Sequence, residues 1–600
     1  MELTPSAHQD TFARDHLPPA EQWPRLLFEL PSLAYPDRLN CGTELLDRTV
    51  ERFGAERAAF RDGEGDVWSY GQLRERVDRI AHVLTDDLGV RPGNRVLLRG
   101  PTTPWLAACW LAVMKAGAVA VTVLAQQRAR ELAVMCEMAR CGLALCDVRA
   151  LDELAKAEVP GLKVTPFGGD GPDDLLTLAS GKPGRYEAVP TAADDVALIA
   201  FTSGSTGRPK GCLHFHRDVL AAADTFSAHV LRPEPDDVFA GSPPLGFTFG
   251  LGGLVVFPLR AGACAVLLEQ AGPQQLLAAV ARHRVSVLFT APTAYRVMLE
   301  ELDAPGHEHE HDLGSLRRCV SAGENLPAST WDAWHERTGL KLINGIGATE
   351  LMHIFISAAD GDIRPGTTGR PVPGWQARVV GPSGQELPDG EAGLLAVRGP
   401  VGCRYLADPR QTEYVRGGWN ITGDTYVREP DGYFRYVARA DDMIISAGFN
   451  IPGPQVEEAL LAHPDVVEAA VVGRPDKLRG EIVVAYTVVR DGVPRDPSTA
   501  AALRAFVRAR LVPYKSPREI VFLDALPRTA TGKLQRFRLR TDGLPGNGLP
   551  AEGLPGDGLR TDSLRTGGLP ADGLRTDSLR TDGIPADGLP GDGAGSGRLK

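Results

Sequence analysis

The ten residues 201–210, FTSGSTGRPK, have the composition of a phosphate-binding loop. The glycines let backbone amides approach phosphate oxygens, the hydroxyl groups donate hydrogen bonds, and Lys210 supplies a positive charge. The spacing is not that of a Walker A loop, in which the lysine directly follows a glycine, because Pro209 precedes Lys210 here. The predicted phosphate-binding residues are Thr202, Ser203, Gly204, Ser205, Thr206, Gly207 and Lys210.

The segments around this loop predict an α/β fold. Residues 196–200 form an apolar run, which predicts a strand that ends at the loop. Upstream, Ser69 precedes apolar residues at helical spacing, and strand and helix patterns then alternate. This alternation predicts parallel sheets covered by helices, which bind ligands at the carboxyl ends of their strands. The alternating segments are 95–99, 105–114, 118–124, 129–139 and 143–146.

The chain divides into three regions by pattern. Residues 1–438 form the predicted large domain, and a compact α+β domain is predicted to follow and to end at residue 540. Its predicted elements are strands at 468–472 and 482–489, a helix at 500–511 and a strand at 519–523. Residues 541–600 repeat short units rich in Gly, Pro, Asp and Arg, a composition that predicts disorder.

The net charge and the distribution of apolar residues indicate which kind of partner the protein binds. A formal net charge of -11 disfavours binding to nucleic acids or anionic membranes, so small molecules are the expected partners. The amino terminus lacks the apolar run of a signal peptide, which predicts a cytoplasmic protein. Residues 105–125 are apolar, but Lys115 at their centre favours a buried helix and strand over a membrane span.

Cysteine and histidine spacing gives little support for a metal centre. The gaps between Cys136, Cys141 and Cys146 are too wide for a CxxC pair, so reduced thiols in the core are expected. His307, His309 and His311 alternate with glutamates after a Pro-Gly pair. They could chelate a metal, but a solvated loop is the simpler interpretation.

The phosphate loop resembles that of the adenylate-forming superfamily, which includes acyl-CoA synthetases, peptide-synthetase adenylation domains and luciferases. Residues 344–350 (NGIGATE), 422–424 (TGD) and 527–533 (PRTATGK) match further motifs of that family in its order, and residues 321–324 (SAGE) resemble its other adenine-binding segment. Ile346 stands where the family more often has tyrosine. An aliphatic side chain can still pack on a purine face, although without aromatic stacking.

The resemblance implies a role for each matching residue. Asn344 would contact the adenine amino group, Thr349 the α-phosphate, and Glu350 a magnesium ion. Asp424 and Arg439 would both reach the ribose. The implied ATP-binding residues beyond the loop are Gly323, Glu324, Asn344, Gly345, Ile346, Gly347, Thr349, Glu350, Asp424, Arg439 and Lys533.

Catalysis is implied to take place in two half-reactions. Lys533 would bridge the substrate carboxylate and the α-phosphate of ATP as the acyl-adenylate forms, so the implied catalytic residues are Lys533, Thr206 and Glu350. The small domain, residues 442–540, would then rotate about a hinge at 439–441, centred on Asp441. Rotation would bring Gly448 and Phe449 to the pantetheine arm of coenzyme A.

Residues 242–262 and 348–374 are similar to benzoate-CoA ligases, and residues 10–24 resemble the 2-aminobenzoate-CoA ligase branch. This similarity implies an aryl carboxylic acid as substrate, most specifically 2-aminobenzoate or benzoate. The implied pocket residues are Phe249, Gly250, Gly347 and His353. Phe249 could instead be a core residue, and His353 a structural histidine; His214 and His216 are expected to be structural.

Three alternatives stay open. The enzyme could be a fatty-acid or other acyl-CoA synthetase, or it could load a separate carrier protein instead of free coenzyme A. It could also be an inert scaffold, although the intact Glu350, Asp424, Arg439 and Lys533 argue against this. The sequence indicates neither the oligomeric state nor a purpose for the repetitive tail.

Overall fold

The computed structural model describes residues 3–202, 208–304, 311–446, 449–477, 479–528 and 534–541, which form four β-sheets with helices packed on them. Of Asp441 and Thr541, only the backbone is described. The predicted α/β architecture is confirmed: the two larger sheets are mainly parallel, and the fourth sheet belongs to a smaller α+β region after residue 442.

The first sheet carries the predicted phosphate loop between its last two strands. Neighbouring strands are parallel except for this last pair, in which Thr202 lies opposite Lys210. The loop residues between these two strands, 203–207, lie outside the described residues. In order across the sheet, the strands are Lys163–Phe167, Leu143–Asp147, Arg95–Arg99, Val119–Thr122, Val196–Thr202 and Lys210–Phe215.

The second sheet places the predicted adenine-binding segments side by side. Ser321 at the end of one strand lies opposite Asn344 in the adjacent parallel strand, so Gly323 and Asn344 are near the same sheet edge. In order, the strands are Arg370–Pro371, Ile354–Ser357, Leu342–Gly347, Arg318–Ser321, Val287–Thr290, Val238–Gly241, Cys264–Leu267, Ala58–Asp62 and Val67–Ser69.

The third and fourth sheets meet in sequence at residues 439–443. The third sheet is antiparallel and ends with Phe434–Arg439, while the fourth begins with Met443–Ser446. The other strands of the third sheet are Gln376–Val380, Ala392–Arg398, Val415–Arg416 and Trp419–Arg428; those of the fourth are Phe449–Pro452, Val466–Asp476, Gly480–Val489 and Glu519–Phe522. The hinge predicted at Asp441 lies between the last strand of the third sheet and the first strand of the fourth. Rotation about this hinge stays a prediction.

Most helices pack on the sheets. Several helices and strands begin and end where the sequence predicts. The helix Ala129–Ala139 and the strand Arg95–Arg99 have the predicted ends, and Ser69 forms a capping box with Gln72. The α-helices are Phe12–Asp15, Arg48–Phe53, Tyr70–His82, Pro104–Lys115, Ala129–Ala139, Leu151–Lys156, Leu175–Ser180, His216–Ala222, Thr248–Leu251, Phe257–Ala261, Pro273–His283, Pro292–Leu302, Ala328–Thr338, Gln411–Tyr414, Gly453–Leu461, Pro497–Arg510 and Arg536–Thr541; π-helical turns span Thr43–Asp47, Val83–Asp87, Ala223–Leu231 and Gly252–Val256.

The apolar helix Pro104–Lys115 is buried along almost its whole length. It shares a core cluster with Leu98 of the first sheet and Phe60 of the second. Lys115 at its end is 1% exposed in its side chain and pairs with Asp78 at 2.5 Å and Asp47 at 2.9 Å. Within the described ranges, no helix is both long and apolar enough to cross a membrane.

The cysteines are buried free thiols, as predicted. Among the described residues, no group of three or more His, Cys, Asp or Glu side chains could hold a metal ion. His307 and His309 of the alternating histidine run lie outside those residues.

Candidate active site

The strand that follows the phosphate loop begins at Lys210, whose side chain contacts the predicted metal-binding segment. Lys210 Nζ lies 3.5 Å from Glu350 Oε1 and donates a hydrogen bond of 2.8 Å to the Tyr405 hydroxyl. That hydroxyl in turn donates to Glu350 Oε1 at 2.6 Å. Residues 140 positions apart in sequence, Lys210 and Glu350, therefore meet at the predicted site, and Tyr405 joins them.

A second contact, made by His214, holds the backbone of the segment that contains Glu350. His214, four residues after Lys210, forms a hydrogen bond of 2.8 Å from Nε2 to the carbonyl of Thr349. Because a carbonyl only accepts, Nε2 carries the proton. Burial lowers the pKa of His214 to about 4, so the ring is neutral at pH 7. His214 is structural, as predicted, but it supports the residue implied to face the α-phosphate.

The adenine-binding segments leave open space beside Gly323. Gly323 has a φ of +92°, and a Cβ added there would meet no atom within 4 Å. Asn344 is half-buried and donates from Nδ2 to the carbonyl of Thr367 at 3.3 Å. Ile346 is half-buried against the main core cluster. Gly345 is close-packed, since a Cβ there would lie 2.8 Å from the side chain of Ile354.

Asp424 and Arg439, the residues implied to bind ribose, lie opposite each other on paired antiparallel strands. Arg439 Nη1 is 3.2 Å from Asp424 Oδ1. Asp424 is almost buried, whereas the side chain of Arg439 is 41% exposed. A carboxylate held in this way can accept hydrogen bonds from hydroxyl groups, as the implied role in ribose binding requires.

Glu324 links the adenine-binding segment to the small α+β region. It accepts hydrogen bonds from Thr293 Oγ1 at 2.6 Å and from Arg528 Nη1 at 3.3 Å. Arg528 also donates to Glu468 at 3.0 Å, and Arg296 lies 3.7 Å from the same carboxylate. Arg528 pairs with Leu534 across residues 529–533. Arg528, the last described residue before Lys533, therefore contacts the predicted adenine-binding segment.

His353 lies within a group of phenylalanine rings. Its ring centre is 5.5 Å from that of Phe249, and Phe249 is in turn 5.7 Å from Phe289. Burial lowers the pKa of His353 to about 3, so the imidazole stays neutral. Nε2 lies 3.4 Å from the Phe249 carbonyl, and Nδ1 is buried with no hydrogen-bond partner in the described part of the chain. Phe226 and Phe257 complete the group.

Two predicted pocket glycines are required by backbone packing. A Cβ on Gly250 would lie 2.2 Å from the carbonyl oxygen of Pro244, and one on Gly347 would lie 2.9 Å from the backbone of His353. Any side chain at these positions would therefore collide with main-chain atoms, which cannot move aside as a flexible side chain can. Gly347 itself is exposed.

Several predicted site residues lie outside the described residues. They are Ser203, Gly204, Ser205, Thr206, Gly207, Gly448 and Lys533. Phe449, next to Gly448, is 49% exposed and stacks on Tyr514 with ring centres 4.3 Å apart.

The sequence analysis missed Tyr405 and the phenylalanines around His353. Tyr405 lies in the segment GCRYLADP, in which no spacing indicates chemistry, and its partners are 55 and 195 positions away. Phe289 lies in an apolar strand, a pattern that predicts only burial. Only tertiary contact identifies these residues.

Comparison with known proteins decides the family. The model of the AMP-binding enzyme family matches residues 46–405, and that of its C-terminal domain matches residues 455–533. The chain belongs to the AMP-binding enzyme family. This AMP-binding enzyme is 36% identical to a benzoate-CoA ligase of Thauera aromatica over 85% of its own length and 97% of the relative's.

Solved structures agree with this placement. An anthranilate CoA ligase in complex with anthranoyl-AMP superposes with a TM-score of 0.80 at 30% identity, over 86% of this AMP-binding enzyme and 99% of that chain. A benzoate CoA ligase from Burkholderia xenovorans LB400 gives a TM-score of 0.76 at 32% identity, over 84% and 100%. The resemblance to the aryl-CoA ligase group is thereby confirmed.

Proposed function

We propose that this enzyme joins an aryl carboxylic acid to coenzyme A, using ATP and forming an acyl-adenylate that the thiol of coenzyme A then attacks. The observation that carries the proposal is the meeting of Lys210 with Glu350 next to Thr349. The contact supports the proposal because Lys210, at the end of the predicted phosphate loop, lies beside Glu350, the residue implied to bind magnesium. The family and the aryl-CoA ligase relatives support the same chemistry.

ATP would lie along the edges of the two parallel sheets. Its adenine would occupy the open space beside Gly323, near Asn344, and its ribose would bind Asp424. The phosphates would lie between residues 202–210 and Thr349. In this arrangement a carboxylate oxygen of the acid would attack the α-phosphorus in line. Lys533 and Thr206 are proposed to neutralise charge in that step.

Glu350 fits the magnesium ion that accompanies ATP. It is buried, and Oε1 is used by Tyr405 and Lys210, while Oε2 has no hydrogen-bond partner among the described residues. A carboxylate oxygen is a ligand that Mg²⁺ prefers. Bound magnesium would supply positive charge for the phosphate oxygens. Glu350, held in orientation by its neighbours, would determine where that charge sits.

The substrate class follows from the phenylalanine group around His353. Flat aromatic side chains favour a flat aryl acid, because offset or edge contacts between rings add to the free energy of burial. Phe249 is half-buried while the other rings of the group are buried, so Phe249 would form the wall of the aryl slot. His353 is neutral, and its unpartnered Nδ1 would accept a hydrogen bond from a donor substituent of the acid. The amino group of 2-aminobenzoate is such a donor. We propose 2-aminobenzoate first and benzoate second.

For the second half-reaction, we propose that the small domain turns about Asp441 and brings Gly448 and Phe449 to the thiol arm. A residue without a side chain suits a narrow path for the pantetheine. Loading of a separate carrier protein is the alternative acceptor. Formation of aryl-CoA from ATP, acid and coenzyme A alone would exclude a requirement for the carrier.

A ligation screen tests the proposal. Purified enzyme is given ATP, Mg²⁺ and coenzyme A with benzoate, hydroxybenzoates, 2-aminobenzoate or medium-chain fatty acids, and thioesters are separated by chromatography. We expect aryl-CoA, with 2-aminobenzoate or benzoate used best. A preference for fatty acids would contradict the aryl assignment alone. If no acid released pyrophosphate, the inert-scaffold alternative would replace the proposal.

A further inference from the structure

We infer that Tyr405 is a positioning residue, which holds the Glu350 carboxylate in the orientation that MgATP requires and keeps Lys210 from pairing with it tightly. This inference rests on the proposed MgATP site. It does not depend on which acid or which thiol the enzyme uses.

The hydroxyl of Tyr405 has only one possible arrangement of hydrogen bonds between its two charged neighbours. The Lys210 ammonium only donates, and the Glu350 carboxylate only accepts. The single Tyr405 proton therefore points to Glu350 Oε1 at 2.6 Å, and a lone pair of the hydroxyl accepts from Lys210 Nζ at 2.8 Å. The tyrosine is fully buried, so this arrangement is protected from water.

The consequence for Glu350 is a fixed choice of oxygen. Oε1 is directed at Tyr405, and this leaves Oε2 for the metal ion. Without the hydroxyl, Lys210 could close its present distance of 3.5 Å to Oε1 and form a direct charged hydrogen bond. Such a pair would draw Glu350 away from the metal and Lys210 away from the phosphates.

Tyr405 is itself held rigidly. Its amide donates to Gln411 Oε1 at 2.9 Å, and its segment lies along the strand Lys210–Phe215, with Tyr405 opposite Cys212. The preceding residue, Arg404, forms a fully buried ion pair with Asp218. The side chain of Glu350 is thus supported from the same strand pair that supports the Thr349 backbone through His214.

A purely structural tyrosine would affect stability but not the response to magnesium. Tyr405→Phe removes the hydroxyl and keeps the ring. The matched control is Tyr414→Phe, because the Tyr414 ring lies 5.8 Å from that of Tyr405 and its buried hydroxyl has no hydrogen-bond partner in the described ranges. Thermal unfolding of both variants shows whether either has lost its fold.

The test is ATP binding as a function of Mg²⁺, followed by tryptophan fluorescence or calorimetry without acid or coenzyme A. We expect Tyr405→Phe to raise the half-saturating Mg²⁺ concentration about tenfold, since a hydrogen bond to a charged group is lost. Tyr414→Phe should leave both affinities unchanged, and Tyr405→Phe should weaken ATP binding without Mg²⁺ by a smaller factor than it raises the Mg²⁺ requirement, because only the contact of Lys210 with the phosphates is then affected. An unchanged Mg²⁺ requirement in Tyr405→Phe, an equal shift in Tyr414→Phe, or an equal loss of Mg²⁺-free ATP binding would overturn the inference.

Failure of the ligation proposal would look different. If wild-type enzyme binds MgATP but makes no thioester with any acid, the proposed function fails while the Tyr405 comparison can still be made. If wild-type enzyme does not bind MgATP at all, both fail together.

Discussion

At the scale of single residues, Glu350 and His353 show two ways in which a protein accommodates a buried ionisable side chain. Glu350 is buried but is matched by Lys210 and a tyrosine hydroxyl, so its charge is compensated. His353 has no charged partner among the described residues and responds by losing its proton, with a pKa lowered to about 3 by burial. The first can act on a cation, and the second can act only as a neutral polar group.

Glu350→Gln should reduce pyrophosphate release at least about a hundredfold, because the amide keeps the shape but removes the negative charge that the metal ion requires. Tyr405 can still donate to the amide oxygen, so the fold should be retained. The measurement is acid-dependent pyrophosphate release at saturating ATP, with thermal unfolding as the control. Release within a factor of three of wild type would show that Glu350 is not the metal-binding carboxylate.

The residues of the candidate nucleotide site could be picked out at this scale, because they lie in short motifs with distinctive residue types; their roles stay predictions. The structure brings Lys210 and Glu350 together and pairs Asp424 with Arg439. Tyr405 could not be predicted, since it is one buried aromatic residue in a segment without spacing that indicates chemistry. The aromatic surroundings of His353 could not be predicted from the sequence either, because Phe226 and Phe289 belong to elements that are distant in sequence.

At the scale of elements, the strand after the phosphate loop joins three parts of the site. Lys210 and His214 lie on it and contact Glu350 and Thr349, and residues 404–406 pair along its edge. At the beginning of the following helix, Asp218 forms the buried ion pair with Arg404. Movement of this strand would therefore disturb the contacts of Lys210 with Glu350 and of His214 with Thr349 at once.

Asp218→Ala should lower the free energy of unfolding by about 3–5 kcal/mol, because it leaves the Arg404 guanidinium buried without its counter-charge. The measurement is denaturant unfolding. The matched control is the double variant Asp218→Leu, Arg404→Met, which removes both charges and should recover most of the loss. If Asp218→Ala were as stable as wild type, the pair would not support the strand as described.

Arg528→Ala should slow the first half-reaction about fivefold, because it removes contacts between the segment before Lys533 and both Glu324 and Glu468. Thioester formation from supplied acyl-adenylate should be unaffected if the small domain leaves this position in the second step. Rapid-quench assays of the two half-reactions measure this split. Equal slowing of both steps would contradict the role assigned to these contacts.

Elements with strong periodicity, which are buried strands and amphipathic helices, were predicted well. The strand predicted at 482–489 is observed as Gly480–Val489, and the helix predicted at 500–511 as Pro497–Arg510. The antiparallel third sheet was not predicted. Three of the five residues in its strand Gln376–Val380 are only half-buried, so the apolar pattern there is weak, and the order of the strands depends on pairing between distant segments.

At the scale of the whole molecule, three fully buried or nearly buried histidines link stability to pH. Burial lowers the pKa of His214 to about 4 and those of His216 and His353 to about 3. In the unfolded chain, each titrates near 6.5. Since the unfolded state binds more protons below that value, this contribution to stability is full above pH 6.5 and is lost as pH falls toward the folded pKa.

We therefore expect the free energy of unfolding to fall by about 4 kcal/mol between pH 7.5 and 5.5, or about 1.4 kcal/mol for each histidine. Near His214, the carboxylate of Asp218 opposes the shift and Arg404 reinforces it. Denaturant unfolding at the two pH values measures the change. Equal stability at both would show that these rings are protonated or hydrated in the folded protein.

Removal of residues 541–600 should leave ligase activity nearly unchanged, because Arg540 would still pair with Asp442 at 2.7 Å and Leu539 would still be buried. Removal of residues 535–600 should destabilise the small domain, since it also deletes Arg536, which binds Glu457 at 2.8 Å. Activity and thermal unfolding of the two truncations give the comparison. A large loss of activity in the shorter deletion would show that the tail takes part in function.

The most direct test of the account is identification of all products formed from ATP, coenzyme A and 2-aminobenzoate or benzoate by the wild-type enzyme. The account predicts AMP, pyrophosphate and aryl-CoA in equal amounts, with aryl-adenylate accumulating when coenzyme A is omitted. ADP and phosphate as products, or release of pyrophosphate without any aryl-adenylate or thioester, would contradict it.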